Sequence, residues 1–187
     1  MTSDSQAILI GAILITLVVT VIAVVAAKRR RSEHLRDRFG PEYDRAVQTA
    51  GDSKRAEAEL SERERRREKL DIRALSDTQR DRYVTDWKAT QARFVDDPRG
   101  ALAQADSILH EVMEARGYPT GDFDQQAADL SVDYASVIND YRRAHTIAAN
   151  ASQASTEDLR SAMVLYRSLF DRLAAERAPR EPVSQRS

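Results

Sequence analysis

The sequence predicts an all-α protein with a single N-terminal transmembrane helix, a charged helical stalk and a small helical bundle. Three observations predict this class. Residues 7–27 are apolar and uncharged, helix-capping residues recur along the rest of the chain, and the apolar residues there repeat at helical spacing without the alternation typical of strands. The predicted divisions are a tail at 1–6, the membrane helix at 7–27, a basic flank and stalk at 28–73, the bundle at 74–177 and a disordered tail at 178–187.

Residues 7–27 have the length and hydropathy of a membrane-spanning helix. A helix of 21 residues covers about 31 Å, which matches a bilayer hydrocarbon core of about 30 Å. Thirteen of these residues are Ile, Leu or Val, and together they favour insertion by about 4–8 kcal/mol. A cleaved signal peptide would carry positive charge before the apolar run, whereas only Asp4 is charged there. A retained anchor is therefore predicted, with cleavage after the small residues 25–27 as the alternative.

Basic residues follow the apolar run directly and predict its orientation. They are Lys28, Arg29, Arg30 and Arg31. Because such residues are retained on the cytoplasmic side, we expect the N-terminus outside the cell membrane and the C-terminal domain in the cytoplasm. The same cations could bind anionic lipid headgroups, although a plain topology determinant is the favoured interpretation. Small residues at four-residue spacing, such as Ala7 and Gly11, make a second copy of the chain a candidate partner.

Residues 54–73 are dominated by charge and are predicted to form a solvated stalk or a weak coiled-coil arm. Their few apolar stripe positions are Ala56, Leu60 and Leu70, while oppositely charged side chains at four-residue spacing stabilise the helix. The basic run at residues 63–69 is interrupted by glutamates and contains no aromatic residue for base stacking. Nucleic acid is therefore not an expected partner.

Residues that start or stop helices divide the remainder of the chain. Asp and Ser cap helix N-termini, Pro is favoured at the first helical position, and Gly is favoured just beyond a helix end. Residues 124–149 are helical, as one helix or two. The signals are Gly40-Pro41, Asp52 or Ser53, Ser76, Asp97-Pro98, Gly117 and the capping box of Ser155 with Asp158.

The last predicted helix, residues 156–177, has the clearest packing face in the chain. Its apolar residues repeat at alternating four- and three-residue spacing, which places them on one side of a helix. They are Leu159, Met163, Tyr166, Phe170 and Leu173. We expect this face to lie in the core of the bundle.

The sequence contains little that points to catalysis. It has no Cys, which excludes disulfides, thiolate zinc sites and a Cys nucleophile, and it lacks a glycine-rich phosphate loop or a nucleophile elbow. No enzymatic activity, metal or cofactor is expected. An enzyme that uses His145 with Asp140 or Asp133 is the weakest alternative. Asp129 and Asp133, four residues apart, are interpreted as solvated charges.

Function is expected to depend on protein contacts. Aromatic residues beside Arg are frequent at interfaces, and the candidate interaction residues are Trp87, Tyr118, Tyr141, Arg142, His145 and Tyr166. The favoured interpretation of the Tyr–Arg pairs at 141–143 and 166–167 nevertheless places the tyrosines in the core with the arginines reaching solvent. The leading hypothesis is a membrane-anchored tether or adaptor that binds another protein. The alternative function is a membrane-tethered sensor or small-ligand-binding module, with a pocket between the loop at residues 117–123 and the face that carries Trp87.

Several segments, in the same order over most of residues 35–173, resemble a family of uncharacterised bacterial proteins with one N-terminal membrane helix. The resemblance implies a membrane anchor followed by a helical domain, and it implies no activity, ligand or catalytic residue. The segments are RFGPEYDR at 38–45, FVDDP at 94–98, VMEARGYP at 112–119, YRRAH at 141–145 and STEDLR at 155–160.

Overall fold

The computed structural model describes the backbone of residues 3–175 and the side chains of residues 14–175. Over this range the chain forms eight helices and no strands, which confirms the all-α prediction. The helices are α1 (Ser3–Phe39), α2 (Pro41–Ala50), α3 (Ser53–Glu68), α4 (Asp77–Arg93), α5 (Pro98–Ala115), α6 (Phe123–Leu130), α7 (Ile138–Ala149) and α8 (Thr156–Ala175).

Helix α1 carries the predicted membrane segment and continues beyond it without a break. The large apolar side chains between residues 14 and 25 are each 45–67% exposed. Among the residues whose side chains are described, no helix is both long enough and apolar enough to cross a membrane. The side chains of residues 7–13 in the predicted span lie outside the described residues. So do the side chains of the predicted tail at 1–6 and the whole of the predicted tail at 178–187.

The chain bends between α1 and α2 where the sequence predicts a break. Gly40 has φ 46° and ψ −125°, a conformation that a residue with a Cβ rarely adopts. Pro41 then takes the first position of α2, where its missing N–H has no helical partner to lose. Asp52 is the cap of the next helix, because its carboxylate accepts the backbone N–H groups at positions 54 and 55.

The end of α1 packs with α2 and α3 around a small core of its own, which we call the N-terminal core. The prediction that residues 54–73 form a solvated stalk or a weak coiled-coil arm is wrong for one face of α3, since Ala56 and Leu60 are fully buried. These two are among the few apolar positions of the segment, and the residues that cover them come from other parts of the chain. The N-terminal core consists of Leu35, Phe39, Tyr43, Ala46, Ala56, Leu60 and Val132.

The larger core, which we call the main core, lies among α4 to α8. Helix α8 packs against α4, α5 and α7 and buries the whole predicted face from Leu159 to Leu173. The predicted helix starts are also confirmed. Ser76 forms a capping box with Gln79, Asp97 accepts the N–H of Gly100, and the N–H of Asp158 donates to Ser155 Oγ.

Residues 124–149 form two helices rather than one. Helices α6 and α7 are separated by tight turns over residues 131–137, held by backbone hydrogen bonds such as that from the N–H of Tyr134 to the carbonyl of Leu130 at 2.9 Å. The turns bring Val132 into the N-terminal core and Tyr134 into the main core. This short connection therefore joins the two cores.

The segment between α3 and α4 crosses the end of α5. The N–H of Arg73 donates to the carbonyl of Arg116 at 2.9 Å, and the buried Arg116 guanidinium donates from Nη1 to the carbonyl of Leu173 at 2.8 Å. That carbonyl lies two residues before Ala175, where the described part of α8 ends. Gly117, at φ 91°, lies so close to this crossing that an added Cβ would be 2.2 Å from the carbonyl oxygen of Asp71.

Candidate functional site

A buried carboxylate between two arginines lies where α2, α3 and α7 meet. Glu42 is 0% exposed. Its Oε1 accepts hydrogen bonds from Arg63 Nη1 at 2.8 Å and Arg142 Nη2 at 2.9 Å, and its Oε2 accepts one from Arg142 Nη1 at 2.7 Å. Arg63 Nη1 also donates to Ser131 Oγ at 3.1 Å. We refer to Glu42, Arg63, Ser131 and Arg142 as the Glu42 cluster.

The Glu42 cluster keeps its carboxylate ionised. Burial raises the pKa of Glu42, but the hydrogen bonds and charges of Arg142 and Arg63 outweigh burial and hold the pKa below its ordinary value. A bidentate guanidinium–carboxylate pair, such as that between Arg142 and Glu42, is strong and directional. The cluster therefore fixes the relative orientation of helices that are far apart in sequence.

Two further arginines of α3 pair with carboxylates of the bundle. Arg66 Nε lies 3.2 Å from Asp129 Oδ1, and Arg67 Nε donates to Asp133 Oδ2. Asp129 is only 3% exposed and also accepts a hydrogen bond from Gln125 Nε2 at 2.9 Å. The interpretation of Asp129 and Asp133 as solvated charges is therefore wrong for Asp129, which is buried, whereas Asp133 pairs with Arg67 and remains exposed.

Tyr118 is a second hydrogen-bond donor to the carboxylate of Asp133. Its hydroxyl donates to Asp133 Oδ2 at 2.5 Å. Burial and the neighbouring Asp133 carboxylate raise the pKa of Tyr118 well above its ordinary value, so the phenol stays protonated and remains a donor. Asp133 thus receives hydrogen bonds from both Arg67 and Tyr118, which links α3 to the loop after α5.

A cleft of about 390 Å³ lies beside the Glu42 cluster. Its lining contains four arginines and the three carboxylates of Glu59, Asp122 and Asp124. The buried carboxylate of Glu42 engages two of these arginines, Arg63 and Arg142. The arrangement is suited to holding helices together rather than to transferring a proton or a phosphate. The lining includes Arg45, Glu59, Arg63, Arg66, Asp122, Asp124 and Arg142.

The structure places the four predicted aromatic interaction residues inside the protein. The Trp87 ring stacks on Phe170 with centroids 4.4 Å apart. The hydroxyl of Tyr141 donates to Gln126 Oε1 at 2.9 Å, and that of Tyr166 donates to Asp106 Oδ1 at 2.6 Å. Trp87, Tyr118, Tyr141 and Tyr166 are each at most 3% exposed, which agrees with the core placement favoured for Tyr141 and Tyr166.

Among the described residues, no hydrogen bond or ion pair joins His145 to Asp133 or Asp140, and the cleft that His145 lines also contains Asp106. The ring of His145 stacks on Phe123 with centroids 3.6 Å apart, and Asp133 is engaged by Arg67 and Tyr118 instead. The residues that are described contain no group of three or more His, Cys, Asp or Glu that could hold a metal ion. The Trp87 face that the sensor hypothesis assigns to a pocket is covered by Phe170.

The sequence pattern pointed to Arg142 but not to Glu42, its partner in α2. One local signal was present. Glu42 precedes Tyr43 and lies four residues before Ala46, so it shares a helix face with buried residues. The other predicted group, the four cations at residues 28–31, is exposed on α1 and does not contact the Glu42 cluster.

Comparison with protein-family models, curated proteins and solved structures found no match to this chain. The resemblance to bacterial membrane-anchored proteins therefore stays a prediction.

Proposed function

We propose that the protein is a single-pass membrane-anchored tether whose helical domain binds another protein close to the bilayer surface. The observation that carries this proposal is the continuity of α1. One helix, Ser3–Phe39, contains both an exposed apolar segment and the buried residues Leu35 and Phe39 of the N-terminal core. An exposed apolar stretch of this size is unfavourable in water and favourable in lipid.

The domain follows the proposed anchor without a separate stalk. The Glu42 cluster and the pairs of Arg66 and Arg67 attach α2 and α3 to the bundle. Such an arrangement supports a tether that presents its partner at a fixed distance and orientation from the membrane. The basic residues 28–31 favour a cytoplasmic location for the domain.

Anchoring and orientation are tested with a reporter fused after Ser187 in the full chain. Two reporters are used, one active only in the cytoplasm and one active only outside it. We expect activity from the cytoplasmic reporter alone, and we expect the chain to stay in the membrane fraction through alkaline carbonate extraction. Release by carbonate would contradict the anchor, while activity of the external reporter would contradict the orientation.

Partner binding is tested by proximity labelling from the C-terminus in the native cell. The matched control fuses residues 1–34 to an unrelated soluble protein, so that it samples the same membrane without the helical domain. We expect a set of proteins labelled by the full chain and not by the control. Identical labelling by the two would contradict the adaptor role and leave the anchor standing.

A further inference from the structure

Three basic side chains that form no ion pair among the described residues line one cleft on the surface. Most arginines of α3 are paired, including Arg63, Arg66 and Arg67. In contrast, Lys28, Arg31 and Lys54 have no ion pair among the residues that the structure describes, and all three are exposed. Because three such cations meet in one cleft, they form a candidate site for an anion from outside the chain.

These three cations line one cleft, although Lys54 is distant from the others in sequence. The packing of α3 against α1 forms a cavity of about 440 Å³. The hydroxyl of Ser53 lies in the same wall and can donate a hydrogen bond to an oxyanion. The cleft is lined by Lys28, Arg31, Ser32, Ser53, Lys54, Glu57 and Ala58.

Glu57 is the single carboxylate in this lining, and its Oε1 is already engaged. It accepts hydrogen bonds from Ser32 Oγ at 2.6 Å and from the Tyr43 hydroxyl at 2.9 Å. Three cations against one carboxylate leave the cleft positively charged. The cleft beside the Glu42 cluster has a smaller excess, because four arginines meet three carboxylates in its lining and the buried Glu42 engages two of those arginines.

The cleft also lies directly beside the apolar segment of α1. Lys28 follows Ala27 in the same unbroken helix, and the exposed apolar side chains end at Val25. A molecule bound in the cleft could place its phosphate among the cations and its hydrocarbon chains along α1. That division of polar and apolar contacts is the chemistry of a phospholipid.

We propose that the cleft between α1 and α3 binds the phosphate of an anionic phospholipid in the leaflet next to the helical domain. This inference rests on the membrane anchor of the proposed function. The proposed site differs from the basic run at residues 28–31 alone, because it also contains Lys54 from α3. Asp52 already takes the first free N–H groups of α3, so side chains supply the recognition.

The test reconstitutes the full chain into phosphatidylcholine vesicles that contain a minor fraction of phosphatidylglycerol. The chain is then extracted in a mild detergent, and the phosphatidylglycerol that co-purifies is counted against its bulk fraction. We expect enrichment with the natural chain. Lys54→Gln should lower the enrichment about fivefold, the effect typical of one basic residue near an anionic surface, and Lys54→Arg should retain it.

The matched control is Lys88→Gln, which removes the same charge from an exposed lysine of α4 and should leave the enrichment unchanged. Equal enrichment in Lys54→Gln and the natural chain would overturn the composite site in favour of the basic run at residues 28–31 alone. No enrichment in the natural chain would overturn lipid selectivity, and full displacement by inorganic phosphate would show a soluble anion as the ligand. A chain that does not float with the vesicles would instead overturn the anchor itself.

Discussion

The buried carboxylate of Glu42 compensates the positive charges of two neighbouring guanidinium groups. Arg63 and Arg142 both donate to this carboxylate, and Arg63 is almost as buried as Glu42. The attraction within such a group only offsets the cost of removing charges from water, whereas the loss of one member leaves an uncompensated charge behind. The effect of substitution is therefore expected to be much larger at Glu42 than at exposed carboxylates.

We predict that Glu42→Gln lowers the free energy of unfolding by about 3–5 kcal/mol, because it keeps the shape of the side chain and removes its charge. The measurement is thermal unfolding of the purified chain in detergent, followed by far-UV circular dichroism. The matched control is Glu62→Gln on α3, whose exposed pair with Arg65 spans 3.6 Å and should contribute less than about 1 kcal/mol. Equal effects at both positions would contradict the buried role of Glu42.

The contribution of Glu42 is also expected to depend on pH. Its folded-state pKa is depressed, so its stabilisation is fully present above the unfolded-state pKa of about 4.3 and is lost as pH falls through the folded-state value. The difference in melting temperature between the natural chain and Glu42→Gln should therefore be constant from about pH 7 to about pH 5 and shrink below about pH 4. A difference that stays constant in acid would contradict this assignment.

Gly117 is the second residue whose substitution should have a large effect. It combines φ 91° with an approach to the Asp71 carbonyl that leaves no space for a methyl group. Gly117→Ala should lower the melting temperature strongly, by backbone strain of about 1–3 kcal/mol plus the clash. Gly121→Ala, at a position where an added Cβ meets nothing within 4 Å, is the control. If both variants melt alike, the close crossing of residues 71 and 117 is refuted.

Among the helices, α8 organises the main core. Its buried face contacts α4, α5 and α7, and its Leu173 carbonyl accepts a hydrogen bond from Arg116 at the end of α5. The stacked rings of Trp87 and Phe170 join α4 to it. Stacked aromatic pairs add about 0.5–1.5 kcal/mol beyond the burial of their area.

Phe170→Ala is predicted to lower the free energy of unfolding by about 3–5 kcal/mol, the usual cost of a large buried cavity. Val164→Ala on the same helix is the control, because Val164 is 60% exposed and its truncation should change stability by less than about 0.5 kcal/mol. Both are measured by circular dichroism, and Trp87 emission gives a second readout of the α4 contact. A small effect of Phe170→Ala would mean that α4 does not depend on this stack.

The helices of the bundle could be predicted from the sequence because their signals are local. The capping residues Ser76, Asp97 and Ser155 lie within three residues of the groups that they contact. The face of α8 repeats within one helix. The contact between Glu42 and Arg142, in contrast, spans 100 positions, and no periodicity connects the two. The burial of one face of α3 was missed for the same reason.

At the scale of the whole molecule, the chain forms two cores that share the turn after α6. Val132 belongs to the N-terminal core and Tyr134 to the main core, while arginines of α3 close the gap between them. The part expected to be a separate stalk is thus an integral part of the fold. Its high charge is used in ion pairs between helices as well as in contact with solvent.

Because α1 is unbroken, the number of residues between its apolar segment and Leu35 sets the rotation of the helical domain about the helix axis. Each residue of a helix advances it by about 1.5 Å and turns it by about 100°. One alanine inserted between Ala27 and Lys28 would therefore rotate the domain by about 100° around the helix axis. The same insertion would move the domain only about 1.5 Å farther from the apolar segment. For a partner that is also fixed in the membrane, the number of residues in this stretch matters as much as their identity.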